Sequence, residues 1–209
     1  MKRVLGMLVA LSTTVSPLIV SAHEFSPHNV FLAYLKLAEP TSLTPYISIY
    51  EERFAPKVVG PQNEFSKVTT IGDAEKILAK NLQAFDVTES FTIPVSASFG
   101  EYDFDRKVFD FRPVTAATAF NSGDRPWKGS GDIQVVFINT KDFYGLPMSP
   151  AEAEVFVKKN GRGVAIDVEF VPVTALEGSE KIRAKIVKID VYADSGRKKL
   201  IHTMTAPTS

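Results

Sequence analysis

The chain has 209 residues, 44% of them hydrophobic and 23% charged, a composition that supports one sizeable core and argues against disorder. Its 24 basic residues are balanced by 24 acidic ones, so there is no basic field to hold nucleic acid or an anionic membrane surface. It has no cysteine, which excludes disulfides, thiolate chemistry, cysteine metal sites and a lipidated-cysteine anchor.

At the N-terminus, Lys2 and Arg3 precede an apolar run from Val4 to Val20 that Thr13, Thr14 and Pro17 interrupt, and Val20-Ser21-Ala22 forms a small-residue site. This is the pattern of a secretory signal peptide over residues 1–22, with cleavage expected after Ala22. The polar interruption argues against a stable span of about twenty apolar residues, and no later segment is apolar enough for one. Cleavage would leave the mature chain mildly acidic. A cysteine-free exported chain without an Asn-x-Ser/Thr sequon fits the bacterial envelope, periplasmic or secreted.

Residues 23–209 read as a single domain, helix-rich over 26–85 and sheet-rich over 90–204. Ser26-Pro27 is a helix start, followed at helical spacing by Phe31, Tyr34, Leu35 and Ala38 until Pro40. Thr44-Pro45 opens a second helix with Tyr46, Tyr50 and Phe54 at four-residue intervals, although Ile47 and Ile49 would also suit a strand. Phe65, Val68, Ile71, Leu78, Leu82 and Phe85 predict a long third helix with Asn63 as its cap. Gly72 and the β-branched run from Val68 to Ile71 weaken its first half, so Asp73 to Phe85 is its firmer part.

The stretch from Ser90 to Val114 reads as two strands folded against each other. Phe91, Ile93, Val95, Ala97 and Phe99 alternate with polar residues or proline, then Tyr102 and Phe104 alternate with Glu101, Asp103 and Asp105 before Val108, Phe109 and Phe111. Such an aromatic density has to be covered. Pro113 to Asp132 reads as a loop holding the single tryptophan, and Ile133 to Asn139 as a central strand apolar on both faces. Ser149, Pro150 and Glu152 form a capping box for a helix that turns Val155 and Phe156 inward and ends at Gly161. Gly163 to Val173, Lys181 to Ala193 and Lys199 to Met204 alternate as an antiparallel meander, with Lys185 and Lys188 on a wet edge. The expected fold is therefore α+β, with helices packed on one face of a twisted, mainly antiparallel β-sheet.

Four features could carry chemistry. Cleavage would make His23 the first residue, whose α-amine and ring nitrogen together form a bidentate copper chelate. His28 or His202 could complete a histidine brace, a single-feature resemblance to lytic polysaccharide monooxygenases and small periplasmic copper-binding proteins. Against this, any residue can follow a signal site, and no methionine-rich copper motif or monooxygenase signature accompanies it. Glu101, Asp103, Asp105 and Asp110 supply clustered oxygen ligands, but without the spacing of a calcium loop they read as a solvated face neutralised by Arg106 and Lys107. Trp127, flanked by Arg125, Pro126 and Lys128, is a candidate stacking platform for a sugar or peptide, and Tyr144 could serve likewise, against the alternative that Trp127 folds over the sheet edge. No hydrolase, zinc-protease, β-lactamase or nucleotide-cradle motif is present, which disfavours an enzyme.

The runs GEYDFDRKVFDF and LPMSPAEAEVF resemble an uncharacterised family of exported bacterial proteins that share a tyrosine-aspartate-phenylalanine hairpin and a later capped helix. The resemblance implies location and fold and carries no catalytic residue. The resulting expectation is an exported binding module, without catalysis or cofactor, for a protein or carbohydrate partner. The alternative is a copper-binding or copper-dependent redox protein built on His23.

Overall fold

The computed structural model describes residues 22–54, 64–122 and 133–207. The expected signal peptide before Ala22, the Asn63 cap, the side chains of Phe65, Val68 and Ile71, and the loop that carries Arg125 and Trp127 lie outside the described residues.

A short strand β1 (His23–Glu24) leads into helix α1 (Pro27–Ala38), where the Ser26 side chain accepts from the Asn29 N–H and Pro27 takes the first turn. Helix α2 (Thr44–Arg53) and the 21-residue helix α3 (Glu64–Ala84) follow, so the third helix takes its long form despite Gly72. Strands β2 (Phe91–Ser98), β3 (Tyr102–Asp103), β4 (Val108–Phe109), β5 (Ala119–Asn121) and β6 (Gln134–Phe137) come next. A 3-10 turn over Thr140–Phe143 and strand β7 (Leu146–Pro147) precede helix α4 (Pro150–Asn160), whose capping box between Ser149 and Glu152 is complete. The long strands β8 (Gly163–Ala175) and β9 (Lys181–Tyr192) and the shorter β10 (Leu200–Thr205) close the chain.

Helix α1 departs from its expected one-sided character. Val30, Phe31, Leu32, Ala33, Tyr34 and Leu35 are all buried, and six consecutive residues encircle the helix. Strand β8 lies against one side of it and helix α3 against another, while Phe31 meets the rings of Tyr46 and Tyr50 from α2 and of Phe54 at its C-cap. The Tyr34 hydroxyl donates to the Leu176 carbonyl at 3.1 Å and accepts from the Gly178 N–H at 3.0 Å, which ties the helix to the β8–β9 turn.

The α+β class holds, but the main sheet is mixed, not mainly antiparallel. Its order is β1-β2-β8-β9-β6-β5, with β10 also on β9. β1 runs parallel to β2 and β6 parallel to β9. Both parallel pairs join strands separated by long crossovers, three helices in one case and the α4–β8 passage in the other, as parallel pairing requires. Alternation reports which face of a strand is wet, not which way its neighbour runs.

The stretch from Ser90 to Val114 divides between two sheets. Its first strand, β2, pairs along its whole length with β8, and only the short β3 and β4 form a hairpin, joined by β7 into a second sheet of order β3-β4-β7. Part of the expected loop, Ala119–Asn121, is strand β5 on the outer side of β6. β9 is not a sheet edge: the wet side of Lys185 and Lys188 is a face.

One interval of β9 shows how the sheet is closed. Its side away from β8 is shared, with β6 pairing Lys181 to Ala184 and β10 pairing Lys188 to Tyr192 from the opposite direction. Between them the Asn139 side chain acts as a strand residue: its Nδ2 donates to the Ile186 carbonyl and its Oδ1 accepts from the Ile186 N–H, each at 2.9 Å. Ile186 itself is fully buried, so no water replaces these bonds. Asn139→Ala is therefore expected to cost about 1–3 kcal/mol, read from the urea midpoint at unchanged slope, because both backbone groups lose their partners. A midpoint equal to wild type would remove Asn139 from this role.

Candidate functional site

Helix α4 presents two stripes at helical spacing, each lining a different cleft. Pro150, Ala153, Glu154 and Val157 face one, Glu152, Val155, Phe156 and Lys159 the other, and Ala151 borders both. The expectation that Val155 and Phe156 both turn inward is half right. Phe156 is buried against Phe99 at 5.6 Å between ring centroids, whereas Val155 is 65% exposed.

The first cleft, about 510 Å³, lies between α4 and the β3–β4 hairpin and is lined by Tyr102, Phe104, Phe109 and Arg162 besides the α4 residues. Tyr102 is fixed by its hydroxyl, which donates to the Met148 carbonyl at 2.6 Å, and its ring meets Phe109 edge-on at 5.0 Å. Phe104 also meets Tyr102 edge-on at 5.0 Å but is 73% exposed. It occupies the turn between β3 and β4, where Asp103 Oδ1 accepts from the Arg106 N–H at 2.9 Å and Lys107 adopts a positive φ of 56°. The turn takes Phe104 out of the strand alternation that had assigned it a buried face. At the rim, Arg162 reaches the Gly100 carbonyl and Glu154 pairs with Lys158 at 2.5 Å.

Tyr144 lies in a separate cleft of about 300 Å³ with Asp103, Arg106, Asp110 and Arg112. Gly145, at φ +85°, turns the chain there, and its N–H donates to the Phe111 carbonyl at 2.8 Å. The Arg112 guanidinium lies 5.8 Å from the Tyr144 ring centre and pairs with Asp110 at 3.0 Å, so the cation already engages this ring. Of the acidic series, Asp103 holds the hairpin turn and Asp110 pairs with Arg112. Among the described residues no group of three or more His, Asp or Glu side chains is arranged to hold a metal ion.

The second α4 cleft, about 610 Å³, is bounded by Pro147, Met148 and β10 and contains His202 beside Lys159 and Lys199. Glu152 also lines it, with its carboxylate accepting from the Ser149 N–H and hydroxyl. These bonds, the hydroxyl's foremost, lower its pKa.

The three histidines occupy three environments. His23 is built into the sheet end: its backbone N–H donates to the Ser90 carbonyl at 2.7 Å and its ring stacks on Phe85 at 4.3 Å. Nε2 lies 2.7 Å from the Asp86 carbonyl and 3.4 Å from the Glu89 carboxylate. His28, in the first turn of α1, faces α2, with Nε2 3.4 Å from the Tyr50 hydroxyl and its ring against Phe54. Asn81 of α3 donates to the same hydroxyl at 2.7 Å. His202 is on β10. The structure thus does not gather them, and it brings His202 together instead with two lysines that spacing along the chain did not link to it.

On the open face of the main sheet a polar chain runs from Ser90, just before β2, across β8, β9 and β10. Ser90 donates to Glu169, Lys188 bridges Glu169 at 3.0 Å and Asp190 at 3.1 Å, and Thr203 donates to Asp190 at 2.7 Å. The Glu169 hydrogen bond, above all, raises the Lys188 pKa. Every charge in this chain has a partner, which suits a fastening rather than a site.

With this geometry in view, the family model described as "Domain of unknown function (DUF4852)" matches residues 42–159, more than half of the chain, and the protein belongs to that family. The matched segment runs from before α2 through α4 and includes the hairpin and capped helix on which the resemblance to an uncharacterised family rested. No curated protein and no solved structure matches the chain.

Burial lowers the His28 pKa from 6.5, opposed more weakly by a hydrogen bond with Asn29. The native state therefore takes up this proton less readily than the unfolded chain, so its contribution to stability is complete above pH 6.5 and falls as pH drops below it. His28→Gln is expected to show a smaller loss of unfolding free energy than wild type between about pH 7.5 and about pH 5.5, measured by urea titration. Equal losses in the two proteins would contradict this.

Proposed function

We propose that this member of the DUF4852 family is an exported binding module that grips a protein partner in the cleft between α4 and the β3–β4 hairpin. The observation that carries the reading is Phe104: 73% exposed at a hairpin tip, held edge-on by Tyr102, and set over an apolar cleft of about 510 Å³. A large aromatic left in water gains most when a partner covers it, and aromatic anchors of this kind dominate protein interfaces. Tyr102, Phe109 and the capped α4 give that anchor a preorganised wall, so little ordering cost remains at binding. The partner's complement is an apolar side chain inserted beside Phe104.

Export is part of the same reading. The leader-like residues 1–22 support it, and β1 begins on the residue that cleavage after Ala22 would make first. Among the described residues no helix is long and apolar enough to cross a membrane. We place the protein in the bacterial envelope, periplasmic or secreted.

N-terminal sequencing of the exported protein is expected to begin at His23, and a start elsewhere would overturn the leader assignment. A photo-crosslinking phenylalanine analogue in place of Phe104 is expected to yield a covalent partner adduct in cells, while the same group in place of Leu176, equally exposed on the β8–β9 turn, does not. Phe104→Ser should abolish formation of the purified complex between the chain and that partner while shifting stability by less than about 0.5 kcal/mol, as for an ordinary surface change. Adducts from both positions, or neither, would remove the cleft from consideration.

A further inference from the structure

The cleft on the other flank of α4 has a different chemistry. Its floor is apolar, formed by Met148, Phe156 and Ile201 with the exposed Val155 at its margin, and its volume of about 610 Å³ lies in the range of small-molecule sites. Three nitrogen groups converge on that floor from two elements: Lys159 from the last turn of α4, Lys199 from the approach to β10, and His202 from β10. Among the described residues none of these three side chains has a hydrogen bond or an ion pair. By contrast, neighbouring Lys158 is taken by Glu154 and Arg197 by Asp167. Exposed lysines without partners are common on any surface; convergence on one apolar floor is what distinguishes this group.

A defect in the ladder builds the convergence. Ile201 and His202 are consecutive and both line the cleft, whereas successive residues of a regular strand point to opposite faces. The pairing of β10 with β9 shifts register between Leu200 and His202, a bulge that turns an apolar and a basic side chain to the same side. The one carboxylate in the lining, Glu152, keeps its charge but is committed to Ser149 by its capping box and forms no ion pair with either lysine.

We infer that the α4–β10 cleft binds a single-chain amphiphile with an anionic head, its tail on Met148, Phe156 and Ile201 and its carboxylate or phosphate between Lys159, Lys199 and His202. Charge complementarity chooses the head, and the apolar floor chooses the tail. This site is separate from the Phe104 cleft and stands or falls without it.

The test is calorimetric titration of the mature chain with dodecanoate, dodecyl phosphate, dodecanol and acetate, below micelle formation. Both anionic amphiphiles are expected to bind and acetate is not, with dodecanol at least about tenfold weaker than dodecanoate because it forgoes the cations. Affinity should rise up to about fourfold per methylene from octanoate to dodecanoate while the tail is still entering the cleft. The double variant K159Q/K199Q, at surface positions that leave folding intact by circular dichroism, should lower dodecanoate affinity by about tenfold and leave dodecanol unchanged. Phe104→Ser should leave dodecanoate binding at the wild-type value, which separates failure of this site from failure of the protein-binding cleft. Dodecanoate that does not bind, dodecanol that binds as tightly, K159Q/K199Q without effect, or an apolar tripeptide with a free C-terminus that displaces dodecanoate would each overturn the inference.

Discussion

The structure depends on how the outer side of β9 is shared. A strand offers one row of backbone groups to each neighbour, and here two strands of opposite direction divide one row, β6 over its first part and β10 over its last. Such a junction leaves a buried residue, Ile186, with backbone groups that neither neighbour reaches. Unpaired peptide groups in an apolar interior are among the costliest defects a fold can carry. The Asn139 amide, a near copy of a peptide group, supplies both missing bonds. The mixed character of the sheet follows, because β6 reaches β9 through a long crossover and runs parallel to it, whereas β10 follows β9 through a short turn and runs antiparallel.

On the buried face of that sheet lies an aromatic layer continuous with the helices. Phe91 stacks on Phe170, Phe170 meets Phe25 and Phe137 edge-on, and in the same core Phe31 packs its ring against Tyr46, Tyr50 and Phe54. Without disulfides, these rings and the encircled α1 supply the cohesion of the domain, at roughly 1.5–3 kcal/mol for each large side chain removed from water. The second, smaller sheet joins the same core through Phe99, which packs on Phe109 at 4.3 Å. The small sheet and α4 are thus held by the interior while their outer surfaces remain open.

That arrangement explains why α4 is the centre of the functional reading. A helix on a firm base presents its side chains with little loss of freedom on binding, and the two stripes of α4 differ in what surrounds them. One faces the aromatic hairpin and suits an apolar partner group; the other faces the bulged β10 and gathers cations over an apolar floor. On the proposed function a single helix serves two kinds of ligand, because its flanks meet elements that precede and follow it in the chain.

What the amino-acid sequence determined alone was local. Ser26-Pro27 and Ser149-Pro150 with Glu152 set helix starts within one turn, and alternation in 163–173 set the buried face of β8, while in 181–193 the alternation changes phase at Val187, where the pairing with β8 shifts register. These signals act over a few residues, where capping bonds and side-chain direction decide the outcome. Partners and directions were decided by tertiary structure: β2 pairs with β8 rather than with the following strand, β6 lies parallel to β9, and Phe156 is buried while Val155 is left outside. The gathering of Lys159, Lys199 and His202 belongs to the same class, since it needs a register shift in β10 and the position of α4 beside it. The reason is physical: periodicity records how wet each position is, whereas pairing depends on which distant backbone groups and apolar faces are left to satisfy once the helices have packed.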